Sequence, residues 1–152
     1  MFILKILFIF FICLNISNSY ASNIKNSAVV FMYHKFGVSK YPSTSVTLDQ
    51  FDAHLKEFSK SKYSIESVEF IIDTIINDGD LPDNTIGISI DDADKSFYEV
   101  GWPKFKEMGF PVTLFVNTST IHENNKNYLN WDQIRELVNE GVSIGAHSHS
   151  HY

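Results

Sequence analysis

The sequence predicts an α/β fold with a mainly parallel sheet. Four apolar runs rich in β-branched and aromatic residues are typical of buried strands, namely Ala28–Tyr33, 85–90, 112–116 and 142–146. Residues 63–65 add a short extended piece. Helical patterns of about a dozen residues separate the strands, and this alternation favours parallel pairing. The sequence contains no internal repeat or low-complexity tract, so we expect one domain.

The helical patterns begin at residues that can cap them. Residues 48–59 carry apolar side chains at helical spacing, directly behind a possible capping box of Thr47 and Gln50. Ser67 is placed to cap a second helix. These caps predict where the first two helices start.

The second half of the chain repeats the pattern with longer polar connections. We expect loops at 35–46 and 117–130, which are rich in polar residues, Gly or Pro. Asn130 is expected to begin a helix at 131–140, with Val138 among its inward residues.

The N-terminus is typical of a secretory signal peptide. Lys5 supplies a positive charge, residues 6–14 are an unbroken apolar run, and residues 19–21 (Ser-Tyr-Ala) fit a cleavage site. The apolar run is shorter than the roughly 20 residues that a membrane span needs. We therefore expect residues 1–21 to be removed, leaving an exported chain, periplasmic or extracellular, with no stable membrane span.

Composition narrows the possible functions. The formal charge of the 152-residue chain is −6, which disfavours binding to nucleic acid through phosphate contacts. The single cysteine, Cys13, lies in the predicted signal peptide. The mature chain would therefore have no disulfide, cysteine nucleophile or cysteine metal ligand.

Polar residues capable of catalysis or metal binding follow three of the predicted strands. His34 follows the first, Asp91 and Asp92 end the second, and His147 follows the last. In parallel α/β folds, functional groups cluster at the carboxyl ends of the strands. We therefore expect these side chains, distant in sequence, to converge.

The two carboxylates allow two interpretations. One of Asp91 and Asp92 could hold a cation while the other acts as a base beside it. Alternatively they form an ordinary turn, because Asp is common after strands. His34, as a lone histidine at a strand end, is more typical of a structural residue than of a ligand.

The histidines at the end of the chain point to a metal. His147, His149 and His151 lie within five residues, and imidazole is a common ligand of transition metals. In a helix His147 and His151 would share one face; in an extended chain His147 with His149 is the favoured pair. The alternative is a solvated histidine-rich tail.

Two motifs together resemble those of the polysaccharide deacetylase family, carbohydrate esterase family 4. Residues 89–93 (Ser-Ile-Asp-Asp-Ala) are similar to its Thr-Phe-Asp-Asp-Gly motif, and His147, Ser148 and His151 match its His-Ser/Thr-x-x-His motif. Residues 32–34 (Met-Tyr-His) resemble the branch that includes poly-N-acetylglucosamine deacetylases.

The resemblance implies a fold, a reaction and a set of roles. The fold would be a partial, distorted (β/α) barrel, with residues 28–152 as the N-terminal part of the domain, truncated after the second motif. Asp92, His147 and His151 would hold a divalent metal, most often zinc, and Asp91 would be the general base. The reaction would be removal of N-acetyl groups from an amino-sugar polysaccharide.

The resemblance leaves two matters open. The family's general acid belongs to a later motif, so no residue of this chain is assigned that role, although His34 or His149 could substitute for it. No substrate-binding residues are assigned either. The alternative function is a noncatalytic, truncated remnant that binds metal or glycan without turnover.

Overall fold

A five-stranded parallel sheet forms the centre of the computed structural model, which describes residues 26–123 and 125–150. A two-stranded ladder lies beside it. The strands are β1 (Ala28–Tyr33), β2 (Lys35–Phe36), β3 (Ser45–Val46), β4 (Ser64–Glu66), β5 (Thr85–Asp91), β6 (Thr113–Val116) and β7 (Ser143–Ala146). The helices are α1 (Leu48–Phe58), α2 (Val68–Ile76), α3 (Trp102–Glu107), α4 (Thr118–His122) and α5 (Trp131–Asn139). A π-helical turn, Phe97–Gly101, leads into α3.

Strand β5 organises the sheet. β1 pairs along it from Thr85 to Ile90, while β4 and β6 share its other flank, β4 beside its first half and β6 beside its second. β7 pairs with β6, so the order is β1–β5–β6–β7. All these pairings are parallel, which confirms the predicted α/β class.

The predicted helix starts are confirmed by their hydrogen bonds. Thr47 accepts a bond from the backbone of Gln50, and the Gln50 side chain bonds back to the Thr47 backbone. Asn130 and Gln133 form the same reciprocal pair at the start of α5. Ser67 caps α2. These bonds satisfy backbone N–H groups that a helix start leaves without partners.

Five local predictions are wrong. Residues 35–46 are not only loop, because β2 and β3 pair there, and residues 117–130 contain α4. β1 is buried on one face only, because it is an edge strand among the described residues, with Met32 59% exposed. β7 is not a buried strand either, since Ile144 is 43% exposed. Val138 is exposed rather than inward. Apolar sequence predicts an element, but the neighbours that cover it come from elsewhere in the chain.

One face of the sheet, the helix-covered face, carries the core. Ile88, Ile90 and Leu114 are fully buried on it, beneath apolar residues of α1, α3 and α5. An aromatic cluster fills the space under α1, where the ring centroids of Phe51 lie 4.8 Å from Phe36 and 5.0 Å from Phe105. Burying rings of this size supplies a large share of the hydrophobic stabilisation.

The opposite face, called the open face here, is formed by Val30, Met32, Gly87, Phe115 and Gly145. Helix α2 covers part of it, because an added Cβ at Gly87 would lie 2.9 Å from the side chain of Ile71. Val30 and Met32 are exposed on it. The Phe115 ring lies directly over Gly145, where an added Cβ would be 2.4 Å from the ring. Since side chains alternate along a strand, Asp91 at the end of β5 belongs to this face.

The predicted signal peptide, residues 1–21, lies outside the described residues. Within the described ranges, no helix is long and apolar enough to cross a membrane.

Candidate active site

The strand register brings the predicted functional residues to one edge of the sheet. Tyr33 lies opposite Ile90, so His34 is level with Asp91 at the carboxyl end of the neighbouring strand. Val116 lies opposite Ala146, so His147 leaves the sheet at the same edge. The convergence expected from strand ends is therefore present.

His147 lies close to both aspartates. Its Nε2 is 3.5 Å from Oδ1 of Asp92 and 3.9 Å from Oδ2 of Asp91. The three side chains are about 14–30% exposed, so solvent reaches them from the open face. One imidazole thus faces two carboxylates in a partly desolvated position, where charge interactions are stronger than in bulk water.

The turn after β5 explains how two adjacent aspartates meet one histidine. Consecutive side chains of a strand point to opposite faces. Asp92 and Ala93 leave the strand conformation, with φ of 72° and 57°. This left-handed backbone is unfavourable for residues with a Cβ. Its persistence here indicates that surrounding contacts enforce it, among them the bond from the Leu129 N–H to the Ala93 carbonyl (2.9 Å).

The backbone also fixes His147. Its N–H donates to the Val116 carbonyl at 3.0 Å, which extends the β6–β7 ladder by one step. Ser148 then adopts φ 62° and turns the chain. His149 bonds to Thr118 through its Nδ1 at 2.8 Å. The segment is therefore neither helical nor extended at this point, and His147 and His149 have different partners.

The spacing of these donors fits a shared cation. Zinc bonds of about 2.0–2.2 Å at a tetrahedral angle place two ligand atoms about 3.4 Å apart. The 3.5 Å between His147 Nε2 and Asp92 Oδ1 agrees with that spacing. In the described ranges, no group of three or more His, Cys, Asp or Glu is positioned to hold an ion. His151, the third predicted ligand, lies outside the described residues.

A buried ion pair that the sequence did not predict supports the turn that carries Asp91 and Asp92. Lys35 Nζ lies 2.6 Å from Oδ2 of Asp94, and both side chains are about one-tenth exposed. The other oxygen of Asp94 accepts bonds from the Ser96 N–H and hydroxyl, and the Ser96 hydroxyl accepts one from the Phe36 N–H. This network ties β2 to the turn that carries Asp91 and Asp92. Lys35 and Asp94 are 59 residues apart, so no local sequence pattern predicts that they pair.

The neighbouring tyrosine contributes no charge. Burial raises the pKa of Tyr33 well above its ordinary value, so its phenol stays neutral. Its hydroxyl lies 2.9 Å from Nδ1 of His54, in a partly buried position.

Comparison with known proteins gives a family for the second half of the chain. Residues 78–152 match the family model for polysaccharide deacetylase. The matched region contains β5, the turn at Asp91 and Asp92, and β7 with His147. This matched region belongs to the polysaccharide deacetylase family.

Individual deacetylases agree with the family assignment. A Bacillus subtilis (strain 168) protein, YxkH, provisionally named a polysaccharide deacetylase, is 25% identical over 122 residues, covering 80% of this chain and 42% of its own length. A Staphylococcus aureus poly-β-1,6-N-acetyl-D-glucosamine N-deacetylase is 24% identical over 144 residues, covering 82% of this chain and 49% of its own length. The chain thus spans less than half the length of these relatives.

A solved deacetylase structure has the same fold. Streptococcus pyogenes PplD, determined with acetate, superposes with a TM-score of 0.73 at 23% identity, covering 85% of this chain and 58% of that one. The expected partial barrel of the polysaccharide deacetylase type is therefore confirmed.

Proposed function

We propose that this protein hydrolyses N-acetyl groups of an amino-sugar polysaccharide with the help of a divalent cation, zinc being the first candidate. The observation that supports this most is the convergence of His147 with Asp91 and Asp92 on the open face of a polysaccharide deacetylase fold. The polymer in the name of the S. aureus relative, poly-β-1,6-N-acetylglucosamine, is the first substrate to offer.

In this proposal Asp92, His147 and His151 hold the cation. The 3.5 Å spacing of His147 and Asp92 supports the first two, and His151 is assigned by its place in the motif. Such a cation supplies Lewis acidity, which makes water more acidic and polarises an acetyl carbonyl. A neutral imidazole and a carboxylate are suitable donors for it.

Asp91 is proposed as the general base. Its carboxylate accepts a proton from water as the water oxygen adds to the acetyl carbon. The carbon–nitrogen bond then breaks, acetate leaves, and the departing nitrogen takes up a proton to become an amine. Among the described residues at this edge, His34 is a candidate donor of that proton, because His149 is already bonded to Thr118.

Residues 1–21 are proposed to direct export, which would bring the protein to a polymer outside the cytoplasm. The apolar run at 6–14 and the small residues at 19–21 support this. Mass spectrometry of exported protein should find Ser22 at the new N-terminus.

The decisive experiment measures acetate release with added Zn²⁺ or Co²⁺. The substrates are N-acetylated chitooligosaccharides and β-1,6-linked N-acetylglucosamine oligomers. Asp91→Asn should lower kcat about 10²–10⁴-fold, the usual contribution of general acid–base catalysis. His147→Ala should lower release as well.

Matched controls separate an effect on chemistry from an effect on folding. Asp132→Asn removes an exposed aspartate whose side chain is 92% accessible. His122→Ala removes an exposed histidine that has no role in the proposed site. Both should release acetate at the unaltered rate. Absence of release from the wild-type protein, while the metal binds and the fold melts cooperatively, would favour the noncatalytic alternative.

A further inference from the structure

A cleft of about 460 Å³ lies next to the turn that carries Asp92, at the edge of the sheet where the proposed site is formed. It lies between the segment that follows β1, the segment that follows β5 and the loop that precedes α5. The residues that matter most to its chemistry are Lys35, Lys40, Tyr41, Asp94, Lys126 and Tyr128.

The cleft is positively charged in a negatively charged chain. Its lining includes four of the 12 basic residues of the sequence, namely Lys35, Lys40, Lys95 and Lys126. The acidic residues of its lining, Asp94 and Glu99, form ion pairs with Lys35 and Lys95, so Lys40 and Lys126 supply the excess positive charge. The whole chain carries −6. This local excess of positive charge favours a ligand with an acidic group.

Lys35 is fixed at the base of the cleft. Its bond to Asp94 uses one of the three N–H donors of the ammonium group. Its Nζ also lies 5.4 Å from the ring centroids of both Tyr41 and Tyr128. Two aromatic rings therefore flank the ammonium group of Lys35, which retains N–H donors for a ligand oxygen. Tyrosine rings also offer apolar faces with a polar tip, which suits a sugar ring.

The cleft is held next to the proposed reaction centre. Asp94 is two residues beyond Asp92, so their Cα atoms are at most about 7.6 Å apart. Tyr128 forms an isolated β-bridge with Asp94, and the Lys95 N–H donates to the Asn127 carbonyl at 2.9 Å. The loop with Tyr128 is thus bonded to the turn with Asp92. The cleft is therefore a direct neighbour of the proposed site along the chain and in space.

We infer that this cleft binds an acidic group, a carboxylate or a phosphate, on a sugar that neighbours the N-acetyl group to be removed. The inference rests on the proposed function and narrows its substrate class to acidic N-acetylated glycans. Lys35 would meet the acidic group at the base of the cleft. Lys40 and Lys126, both exposed, would meet it at the rim.

The test compares two ligands that differ only at their carboxyl groups. One is a hyaluronan tetrasaccharide, which carries N-acetyl groups and carboxylates; the other is its carboxyl-reduced form. Calorimetry on Asp91→Asn protein measures binding without turnover. The carboxylate form should bind about tenfold more tightly at low salt, the effect of one charge-assisted bond, and high salt should reduce the preference. Phosphorylated and unphosphorylated N-acetylglucosamine, compared in the same way, test phosphate as the acidic group.

Two double variants test which lysines cause the preference for the carboxylate ligand. Lys40→Gln with Lys126→Gln should weaken the preference, because only Lys35 then remains to meet the acidic group, while Lys56→Gln with Lys60→Gln, which removes two exposed lysines of α1 and its end, should leave it unchanged. Equal affinity of the wild-type protein for charged and neutral ligands, or a preference that the first pair leaves unchanged, would overturn the inference. Acetate release from neutral oligomers reports separately on the proposed function, so either idea can fail while the other stands.

Discussion

The helix-covered face and the open face of the sheet differ in packing and in chemistry. Ile88, Ile90 and Leu114 are fully buried on the first, whereas Met32 is 59% exposed on the second. Asp91 belongs to the open face and meets His147 at its edge. The helix-covered face therefore carries most of the hydrophobic core, and the open face carries the proposed site. This difference predicts that substitutions on the two faces have different effects.

The largest effect on stability is expected on the helix-covered face. Phe51→Ala removes a fully buried ring from the aromatic cluster and should lower the free energy of unfolding by about 4 kcal/mol. Met32→Ala, the matched control on the open face, should change it by less than about 0.5 kcal/mol. Urea unfolding measures both values. Similar losses for the two variants would mean that the faces do not differ as described.

A smaller loss of stability is expected where β2 meets the turn that carries Asp91 and Asp92. Lys35→Met leaves Asp94 buried without its cation and should lower the free energy of unfolding by about 3 kcal/mol. Lys40→Met, at an exposed lysine, is the control. Adding Asp94→Leu to Lys35→Met should restore part of the loss, because the uncompensated charge is gone. A further loss in the double variant would show that Asp94 stabilises mainly through Ser96.

The open face has a close contact between Gly145 and the ring of Phe115. Gly145→Ala places a Cβ 2.4 Å from the Phe115 ring, so the ring must move, at a cost of about 2 kcal/mol. Replacing Phe115 with Leu should make the same substitution less costly. Thermal unfolding of the single and double variants measures this coupling. Independent, additive effects would show that the ring can move without cost.

Local features of the fold could be predicted from sequence, because they depend on nearby residues. The pairs Thr47–Gln50 and Asn130–Gln133 are three residues apart, so each cap depends on a few neighbouring side chains. The meeting of His147 with Asp91 and Asp92 was also predictable, since parallel strands bring their carboxyl ends to one edge.

Features that depend on distant partners could not be predicted. β1 has the composition of a buried strand, yet it lies at the edge of the sheet in the described residues. The Lys35–Asp94 pair joins residues 59 positions apart. The α4 helix follows β6 in a segment rich in Asn, Ser and Thr, whose low helix propensity favoured a loop. In each case tertiary contacts decide the outcome.

We propose that Asp92 and His147 share a divalent cation at the edge of the open face. Calorimetric titration of Zn²⁺ into the wild-type protein, His147→Ala and His122→Ala measures the contribution of His147 to that site. His147→Ala should weaken binding at least about 100-fold, because a neutral imidazole ligand is lost, while His122→Ala should bind as tightly as wild type. Unchanged affinity in His147→Ala would contradict the claim.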